Sequence, residues 1–420
     1  MSDRTVFVYE CWTDEKPTLM GSLYVETLRG KETCSFEYDR SWLRSHSGHC
    51  FLDPDLQLYQ GRQYAPANKQ LFGSFSDSCP DRWGRLLMRR REAILASREN
   101  RKPRLLMETD YLLGVHDEAR MGAFRFALQK DGPFLSCDSD MAAPPWVILR
   151  DLEAASIAFE KDEDTLNDRW IKQLLAPGSS LGGARPKATV KDASGSLWIA
   201  KFPSNRDEYD IGAWEKAAQD LAKACGLQVS ESKLERFSDS GSTFLVKRFD
   251  REGGKRIHFS SAMALLGQLD GANAETGSGY LDLVDFITAH GSSPKEDMTE
   301  LWKRIVFSMA ISNTDDHLRN HGFLLARNGW RLSPMYDVNP VPYGENLSLN
   351  VSIDDSRIDP DLAIEVAPFF GIKEQDAVKM ARRILETVKL FWRPAAERCG
   401  IGRMAQKAME PAFKITETRF

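Results

Sequence analysis

The sequence lacks the patterns that mark membrane-spanning, secreted and zinc-binding proteins. No apolar run among its 420 residues approaches the length of about 18 that a membrane-spanning helix needs. Its first residues, MSDRTVFVYECW, have no basic region followed by a long apolar core, so we expect no secretory signal. The seven cysteines are dispersed without a C-x-x-C pair, which is typical of reduced thiols. We therefore expect a cytoplasmic protein with no zinc site and no membrane partner.

An excess of positive charge is also missing. The 56 Lys and Arg residues are outnumbered by 61 Asp and Glu residues, which gives a net charge of −5. This balance argues against a protein whose whole surface binds the phosphate backbone of nucleic acid. The basic run RWGRLLMRRREA is interpreted as the solvated face of a helix. In that helix Leu86, Leu87, Ala93 and Ile94 are expected on or near the apolar face.

The patterns that are present alternate between strand-like and helix-like segments. Aromatic and β-branched runs between turn residues predict short strands in residues 4–60. The runs KATVKD and LWIAKF flank the turn ASGS and predict a β-hairpin. The segment DIGAWEKAAQDLAKACGL has apolar residues at helical spacing and stops at Gly226. From about residue 281 the pattern is mostly helical, interrupted by a hairpin in NHGFLLARNGWRLSPMYDVNP.

These patterns predict an α+β protein in three parts. The segment DGPFLSCDSDMAAPPW has three prolines and few periodic apolar residues, so we interpret it as a domain boundary or an exposed connection. A β-rich part is predicted for residues 1–130, a mixed part for 145–255 and a helical part for 256–420.

A glycine-rich loop, GSSLGGARPKATV, begins at residue 178. Its unhindered backbone could approach phosphate and turn its N–H groups toward the negative charge. It does not match G-x-x-x-x-G-K-[ST], so it is not a P-loop, and an ordinary connection has the same composition.

Lys201 lies in an apolar strand shortly after that loop. A buried ammonium needs a partner, which phosphate oxygens or the carboxylate of Glu215 on the next helix could provide. In protein kinases a strand lysine and a glutamate of the following helix form the ion pair that positions ATP. An edge-strand lysine and a solvated glutamate would give the same pattern.

Two further segments supply carboxylate and amide side chains. Asp315 and Asn320 in SNTDDHLRNHGFLL are five residues apart, the separation of the aspartate and asparagine in the kinase catalytic loop. A carboxylate can orient a hydroxyl, and an amide oxygen can bind Mg²⁺. Asp337 in LSPMYDVNP follows a hairpin where the second kinase metal ligand would stand, although alone it fits a turn residue equally well. The four features in this order indicate ATP and Mg²⁺.

The runs SSLGGARPKA, WIAKFPS, FLVKRFDR, NTDDHLRNHGFLL and LSPMYDVNP resemble the HipA family of bacterial serine/threonine kinase toxins. The β-rich start and DEARMGAFRF are similar to that family too. The resemblance implies a protein-kinase-like fold: a small β-rich N-terminal subdomain, an ATP-binding region with the glycine-rich loop, and a mostly helical C-terminal lobe.

The resemblance also implies a role for each matching residue. Asp315 matches the catalytic base, Lys201 and His317 match residues that act at the phosphates, and Asn320 and Asp337 match the Mg²⁺ ligands. The nucleotide-binding residues it implies are Ser180, Gly182, Gly183, Ala184, Lys201, Glu215, Lys247, Phe249 and His317.

Ser180 also matches the family's autophosphorylated loop serine, with Ser179 as the close competitor. Phosphorylation there is expected to give an ATP-weak form, because the added charge repels the triphosphate site.

The implied activity is transfer of the γ-phosphoryl group of ATP to a serine of a protein, for example an aminoacyl-tRNA synthetase. The implied partner is a helix-turn-helix antitoxin of HipB type, through which DNA would be contacted only indirectly. One alternative stays open, a nucleotide-responsive co-repressor that binds such an antitoxin and has little kinase activity.

Overall fold

The computed structural model describes residues 4–13, 16–28, 30–46, 51–137, 142–161, 174, 183 and 185–417. The chain divides into two compact units. The first comprises Met1–Asn205 and Lys247–Ser260, and the second comprises Arg206–Val246 and Ser261–Phe420. The three-part domain organisation stays a prediction.

Most strands of the described residues precede residue 262, and the longest helix follows it. The strands are β1 (Arg4–Glu10), β2 (Thr18–Leu28), β3 (Lys31–Tyr38), β4 (Gln63–Tyr64), β5 (Phe124–Ala127), β6 (Lys187–Lys191), β7 (Leu197–Lys201), β8 (Ser232–Ser238), β9 (Gly241–Lys247), β10 (Arg251–Glu252), β11 (Lys255–Arg256), β12 (Phe259–Ser261), β13 (Gly322–Ala326) and β14 (Gly329–Leu332). The α-helices are α1 (Arg40–His46), α2 (Gly73–Ser76), α3 (Arg82–Arg98), α4 (Glu108–Gly114), α5 (Leu149–Glu160), α6 (Ile211–Ala224), α7 (Ala262–Leu265), α8 (Tyr280–His290), α9 (Pro294–Ala310), α10 (Pro360–Val366), α11 (Glu374–Arg398) and α12 (Arg403–Met409).

The first unit begins with an antiparallel sheet in the order β4-β3-β2-β1-β5. Its strands have the β-branched and aromatic residues that favour a pleated, half-buried surface. Phe36, Phe75, Phe124 and Phe126 are all buried, and Phe75 makes edge contacts with the other three rings. The predicted N-terminal strands are therefore confirmed, and aromatic rings fill their core.

The hairpin predicted around ASGS is also confirmed. Strands β6 and β7 pair antiparallel, with Lys187 opposite Lys201. Asp192 holds the turn, because its Oδ1 accepts from the backbone N–H groups of Ser194 and Ser196 at 2.9 Å each. Gly195 there has φ +81°, which a side chain would strain.

The basic run does form a helix, α3, but its buried face differs from the one predicted. Leu86 is 42% exposed, whereas Trp83, Leu87 and Ala96 are buried. The indole of Trp83 fixes this orientation, because its Nε1 donates to the carbonyl of Lys187 at 3.2 Å. The prediction for Leu86 was wrong because one large aromatic side chain decided which face turns inward.

The second unit is built around long helices. Asp210 caps α6 by accepting from the N–H of Ala213 at 3.0 Å, and Gly226 follows the helix with φ +76°. The predicted helix is thus confirmed at both ends. Trp392 on α11 stacks on Phe413 with ring centroids 4.3 Å apart, which fixes the segment after α12 in the core. Strands β13 and β14 form the predicted hairpin.

In the described part of the chain, none of the helices has both the length and the apolar character needed to cross a membrane.

Candidate active site

The predicted catalytic loop, residues 311–321, follows directly from α9 in the second unit. The last turns of α9 are buried, so the point at which the loop leaves the helix is fixed by the core. Ser312 turns the chain with φ +49°, and its hydroxyl donates to the carbonyl of Ala412 at 2.9 Å. Left-handed backbone at a serine is held by surrounding contacts rather than by its own preference.

Asp315 projects from this loop into solvent. Its side chain is 80% exposed, and the Nε2 atom of His317 lies 3.9 Å from its Oδ1. Desolvation by the surrounding residues and the negative charges of Asp337 and Asp316 raise the pKa of Asp315, while His317 opposes them. An exposed carboxylate with a raised pKa suits a group that orients a substrate hydroxyl and accepts its proton.

Asn320 holds the backbone at Asp315. Its Nδ2 donates to the carbonyl of Asp315 at 2.8 Å, and its own N–H donates to the carbonyl of His317 at 2.8 Å. The Oδ1 of Asn320 is buried and has no hydrogen-bond partner among the described residues. A buried carbonyl oxygen without a donor is costly unless something else binds it. Mg²⁺ binds amide oxygens and could occupy this position, so Asn320 fits the predicted role of metal ligand.

Asp337 lies next to this loop. Tyr336, which precedes Asp337, donates its hydroxyl to the carbonyl of Arg319 at 2.7 Å. Since Arg319 precedes Asn320, this hydrogen bond joins the two segments that contain Asp337 and Asn320. Asp337 itself has φ +56°, a conformation that aspartate tolerates better than most residues. Asp315, Asn320 and Asp337 are thus gathered in one region of the second unit.

No group of three or more His, Cys, Asp or Glu side chains within the described ranges could hold a metal ion. Mg²⁺ in phosphoryl-transfer sites needs only one or two protein ligands, because substrate phosphates and water complete its shell. Asn320 and Asp337 therefore fit Mg²⁺ bound together with a nucleotide.

A buried polar network supports the loop, and no sequence pattern predicted it. Asp316 is buried and accepts from the hydroxyls of Tyr280 at 2.7 Å and Ser308 at 3.2 Å, and the Nε2 of His321 lies 3.0 Å from it. Burial opposes ionisation, but the charge of His321 and these hydrogen bonds hold the pKa of Asp316 below its usual value. Burial and the Asp316 charge raise the pKa of Tyr280. Asp316 and Asp315 are adjacent in sequence but lie in different surroundings. The side chain of Asp316 is buried in this supporting network, whereas that of Asp315 faces solvent.

Lys201 and Glu215 lie in different units. Lys201 ends β7 in the first unit and is half-buried, whereas Glu215 is buried in α6 of the second unit. Their ion pair stays a prediction.

The predicted adenine-binding segment around Lys247 and Phe249 continues from β9. The N–H of Arg248 donates to the carbonyl of Leu197 at 3.0 Å, so this segment lies beside the start of β7. Phe249 is half-buried, with its ring centroid 5.9 Å from that of Phe259.

A buried cluster, which we call the arginine clamp, fixes that segment to residues 118–122. It consists of Arg248, Asp250 and Arg251. Asp250 accepts from Arg248 Nε and Nη2 at 2.9 and 2.7 Å, from Arg251 at 2.6 Å and from the N–H of Gly122 at 2.8 Å. The guanidinium groups in turn donate to carbonyls within residues 118–122. The two arginines hold the pKa of Asp250 at about 2 although burial opposes this.

The glycine-rich loop is described only at its end. Ser179, Ser180, Gly182 and Ala184 lie outside the described residues. Gly183 has φ +92°, which explains a glycine there. A Cβ atom on Gly183 would lie 3.1 Å from the Nζ of Lys187.

Lys187 anchors this end of the loop. Its ammonium forms a buried ion pair with Asp81 at 2.8 Å, and Asp81 also accepts from the N–H of Gly84 at 2.9 Å as the cap of α3. The loop therefore ends beside the first turn of α3.

Comparison with known proteins identifies relatives in sequence. The family model of the HipA-like C-terminal domain matches residues 179–392, slightly more than half of the chain. Over 195 residues the chain is 27% identical to a "Putative kinase" of Haemophilus influenzae, covering 42% of this chain and 57% of that protein. Over 283 residues it is 26% identical to "Putative kinase Y4dM" of Sinorhizobium fredii, covering 59% of this chain and 68% of that protein. The match thus spans little more than half the length of the Haemophilus relative.

Comparison with solved structures extends the likeness to nearly the whole chain. HipA of Shewanella oneidensis MR-1, in a toxin-antitoxin complex with HipB and operator DNA, matches with a TM-score of 0.65 and 16% identity. The match covers 97% of this chain and 95% of that chain. At this identity the likeness shows the fold, and it confirms the predicted mixed fold with a β-rich N-terminal region and a helical C-terminal part.

Proposed function

This chain belongs to the HipA-like family, and we propose that it is a serine/threonine protein kinase that uses Mg·ATP. The observation that carries the proposal is the buried, unpartnered Oδ1 of Asn320, whose amide group holds the backbone from which Asp315 projects. One side chain thereby links a candidate metal-binding atom to an exposed carboxylate. That combination suits phosphoryl transfer to a hydroxyl.

Each residue has a part in the proposed reaction. Asp315 orients the serine hydroxyl of the substrate and accepts its proton as the hydroxyl oxygen attacks the γ-phosphorus. Asn320 and Asp337 hold Mg²⁺, which when bound neutralises phosphate charge. Lys201 and His317 contact phosphate oxygens, and the bond to the β-phosphate oxygen breaks to release ADP.

Further parts of the proposal rest on the family. Glu215 would pair with Lys201, and the backbone at Lys247 and Phe249 would meet adenine. The loop residues Gly182, Gly183 and Ala184 would cover the phosphates, and Ser180 would be the autophosphorylated serine.

The partners and location are also proposed. We propose a HipB-type helix-turn-helix partner because the structural relative that spans nearly the whole chain was solved with HipB and operator DNA. DNA would be contacted through that partner, in the cytoplasm, and a protein such as an aminoacyl-tRNA synthetase would be the substrate. The presence of HipB and operator DNA in that solved complex also favours a second candidate function, a co-repressor with little kinase activity. Binding of operator DNA by the partner, measured with and without ATP and this chain, tests that role.

The kinase proposal is tested by Asp315→Asn. Transfer of labelled γ-phosphate should fall at least about a hundredfold, because the amide cannot accept the hydroxyl proton. Binding of Mg·ATP, measured by calorimetry, should stay within about twofold, since Asn320 and Asp337 are unchanged.

The matched control is Asp354→Asn, because Asp354 is another exposed aspartate of the second unit. It should transfer phosphate at the wild-type rate. Wild-type turnover by Asp315→Asn would contradict the assignment of the base, and absence of transfer by the wild-type protein would favour the co-repressor.

A further inference from the structure

We propose that Tyr343 is a specificity-determining residue that contacts an apolar side chain of the protein substrate beside the phosphorylated serine. The proposal rests on the proposed kinase function. It is carried by a segment that we call the substrate loop, residues 340–350, which follows Asp337 in the second unit.

The substrate loop is fixed to the catalytic loop. Ser348 donates its hydroxyl to the carbonyl of Thr314 at 2.6 Å, and the N–H of Asn339, just before the loop, lies 3.5 Å from Oδ1 of Asn313. Gly344 lies so close that a Cβ atom on it would be 2.4 Å from Cγ2 of Thr314. Thr314 directly precedes Asp315, so the two loops meet beside the proposed base.

The far end of the substrate loop is equally fixed. Ala274 donates its N–H to the carbonyl of Ser348 at 2.7 Å, and Asn350 exchanges backbone hydrogen bonds with Ser278 and Tyr280 at 3.0 and 2.9 Å. Leu347 and Leu349 are buried. Hydrogen bonds and buried side chains therefore hold the substrate loop in place at both ends.

Tyr343 stands out on this surface. The residue is 80% exposed, and its backbone has φ +62°. A bulky residue in this left-handed conformation is uncommon, and strained backbone of this kind clusters at active sites and ligand-binding segments. Most of the aromatic ring is therefore accessible to another molecule.

The distance between Tyr343 and Asp315 indicates which part of a bound substrate would contact the tyrosine ring. Gly344 follows Tyr343 and contacts Thr314, so the Cα atoms of Tyr343 and Asp315 lie within about 14 Å of each other. Extended chain advances about 3.3 Å per residue, so a substrate serine at Asp315 would bring residues within about four positions of it to Tyr343. An exposed aromatic ring at this distance favours contact with an apolar side chain of the same polypeptide.

The test compares peptide preference in the wild-type protein and Tyr343→Ala. Each is incubated with Mg·ATP and a tryptic digest of a bacterial proteome, and phosphopeptides are identified by mass spectrometry. Wild-type products should be enriched in Leu, Ile, Met or Phe at one fixed position within about four residues of the serine. The enrichment should be lost in Tyr343→Ala and kept in Tyr343→Phe.

Kinetics separate specificity from folding. With a synthetic peptide of the enriched sequence, Tyr343→Ala should raise KM about fivefold or more. Its kcat and its ATP hydrolysis without peptide should stay near the wild-type values. Phe369→Ala is the matched control, because Phe369 is an aromatic residue of the same unit that is 63% exposed.

The outcomes distinguish the two proposals. If the wild-type protein phosphorylates no peptide, the kinase proposal fails for polypeptide serines and this inference fails with it. If it phosphorylates peptides with the same preference and KM as Tyr343→Ala, only the role of Tyr343 is refuted. An equal fall in kcat and in ATP hydrolysis would also refute it, since the residue would then act on the catalytic loop.

Discussion

Replacing Asp250 with asparagine should loosen the arginine clamp and destabilise the first unit. The substitution keeps the shape of the side chain and removes its charge. Arg248, whose side chain is fully buried, and Arg251 would then have no charged partner within the clamp. Removing one partner of a buried pair costs about 3–5 kcal/mol, because the other charge stays buried.

The pKa of Asp250 gives a second and somewhat smaller value for the free energy of this interaction. A fall from the ordinary value of 3.8 to about 2 corresponds to roughly 2–3 kcal/mol of preference for the charged form in the folded state. Because the folded pKa is the lower one, this contribution is complete above about pH 4 and is lost as the pH falls through about 2. The stability difference between wild type and Asp250→Asn should therefore be constant near neutrality and shrink below about pH 4.

Native-state hydrogen exchange measures the effect locally. Peptides that cover residues 117–127 should exchange at least about a hundredfold faster in Asp250→Asn, which is the rate equivalent of roughly 3 kcal/mol. Peptides from α9 in the second unit serve as the internal reference, and Asp354→Asn is the control for a surface aspartate. Acceleration below about fivefold would refute the reasoning, since the clamp would then contribute no more than one ordinary hydrogen bond.

The remaining predictions concern the nucleotide. Lys201→Ala and Asp337→Ala should each weaken Mg·ATP binding at least about tenfold in calorimetry and leave adenosine binding nearly unchanged, because adenosine has no phosphates; equal losses for both ligands would indicate misfolding instead. Incubation with Mg·ATP should place phosphate on Ser180, and the phosphorylated protein should bind ATP more weakly because of the added negative charge. Mass spectrometry of Ser179→Ala and Ser180→Ala assigns the serine, and loop phosphate that persists in Ser180→Ala would contradict the assignment.

The parts of the fold that sequence predicted are those with local signals. Helix α6 is bounded by the cap Asp210 and the left-handed Gly226, and the hairpin of β6 and β7 is closed by Asp192 within five residues. The five-residue spacing of Asp315 and Asn320 is likewise local, and it is the pattern that predicts both residues as parts of a catalytic loop.

The parts that sequence missed depend on distant contacts. Tyr280 and Asp316 are 36 residues apart, and Gly122 and Asp250 are 128 residues apart, so no window of sequence contains either pair. Neighbouring aspartates at 315 and 316 look alike in sequence, and only burial separates them. The exposure of Tyr343 is invisible for the same reason, because an aromatic residue between proline and glycine usually indicates a turn or a buried side chain.

The hydrogen bond from Ser312 to the carbonyl of Ala412 has a consequence for synthesis on the ribosome. The two residues are 100 positions apart, and chains grow at about 5–20 residues per second. A nascent chain therefore contains Asp315 for about 5–20 s before the contact that fixes the turn ahead of it can form. The protein completes this turn late in translation, after the strands of its N-terminal sheet have had time to pair.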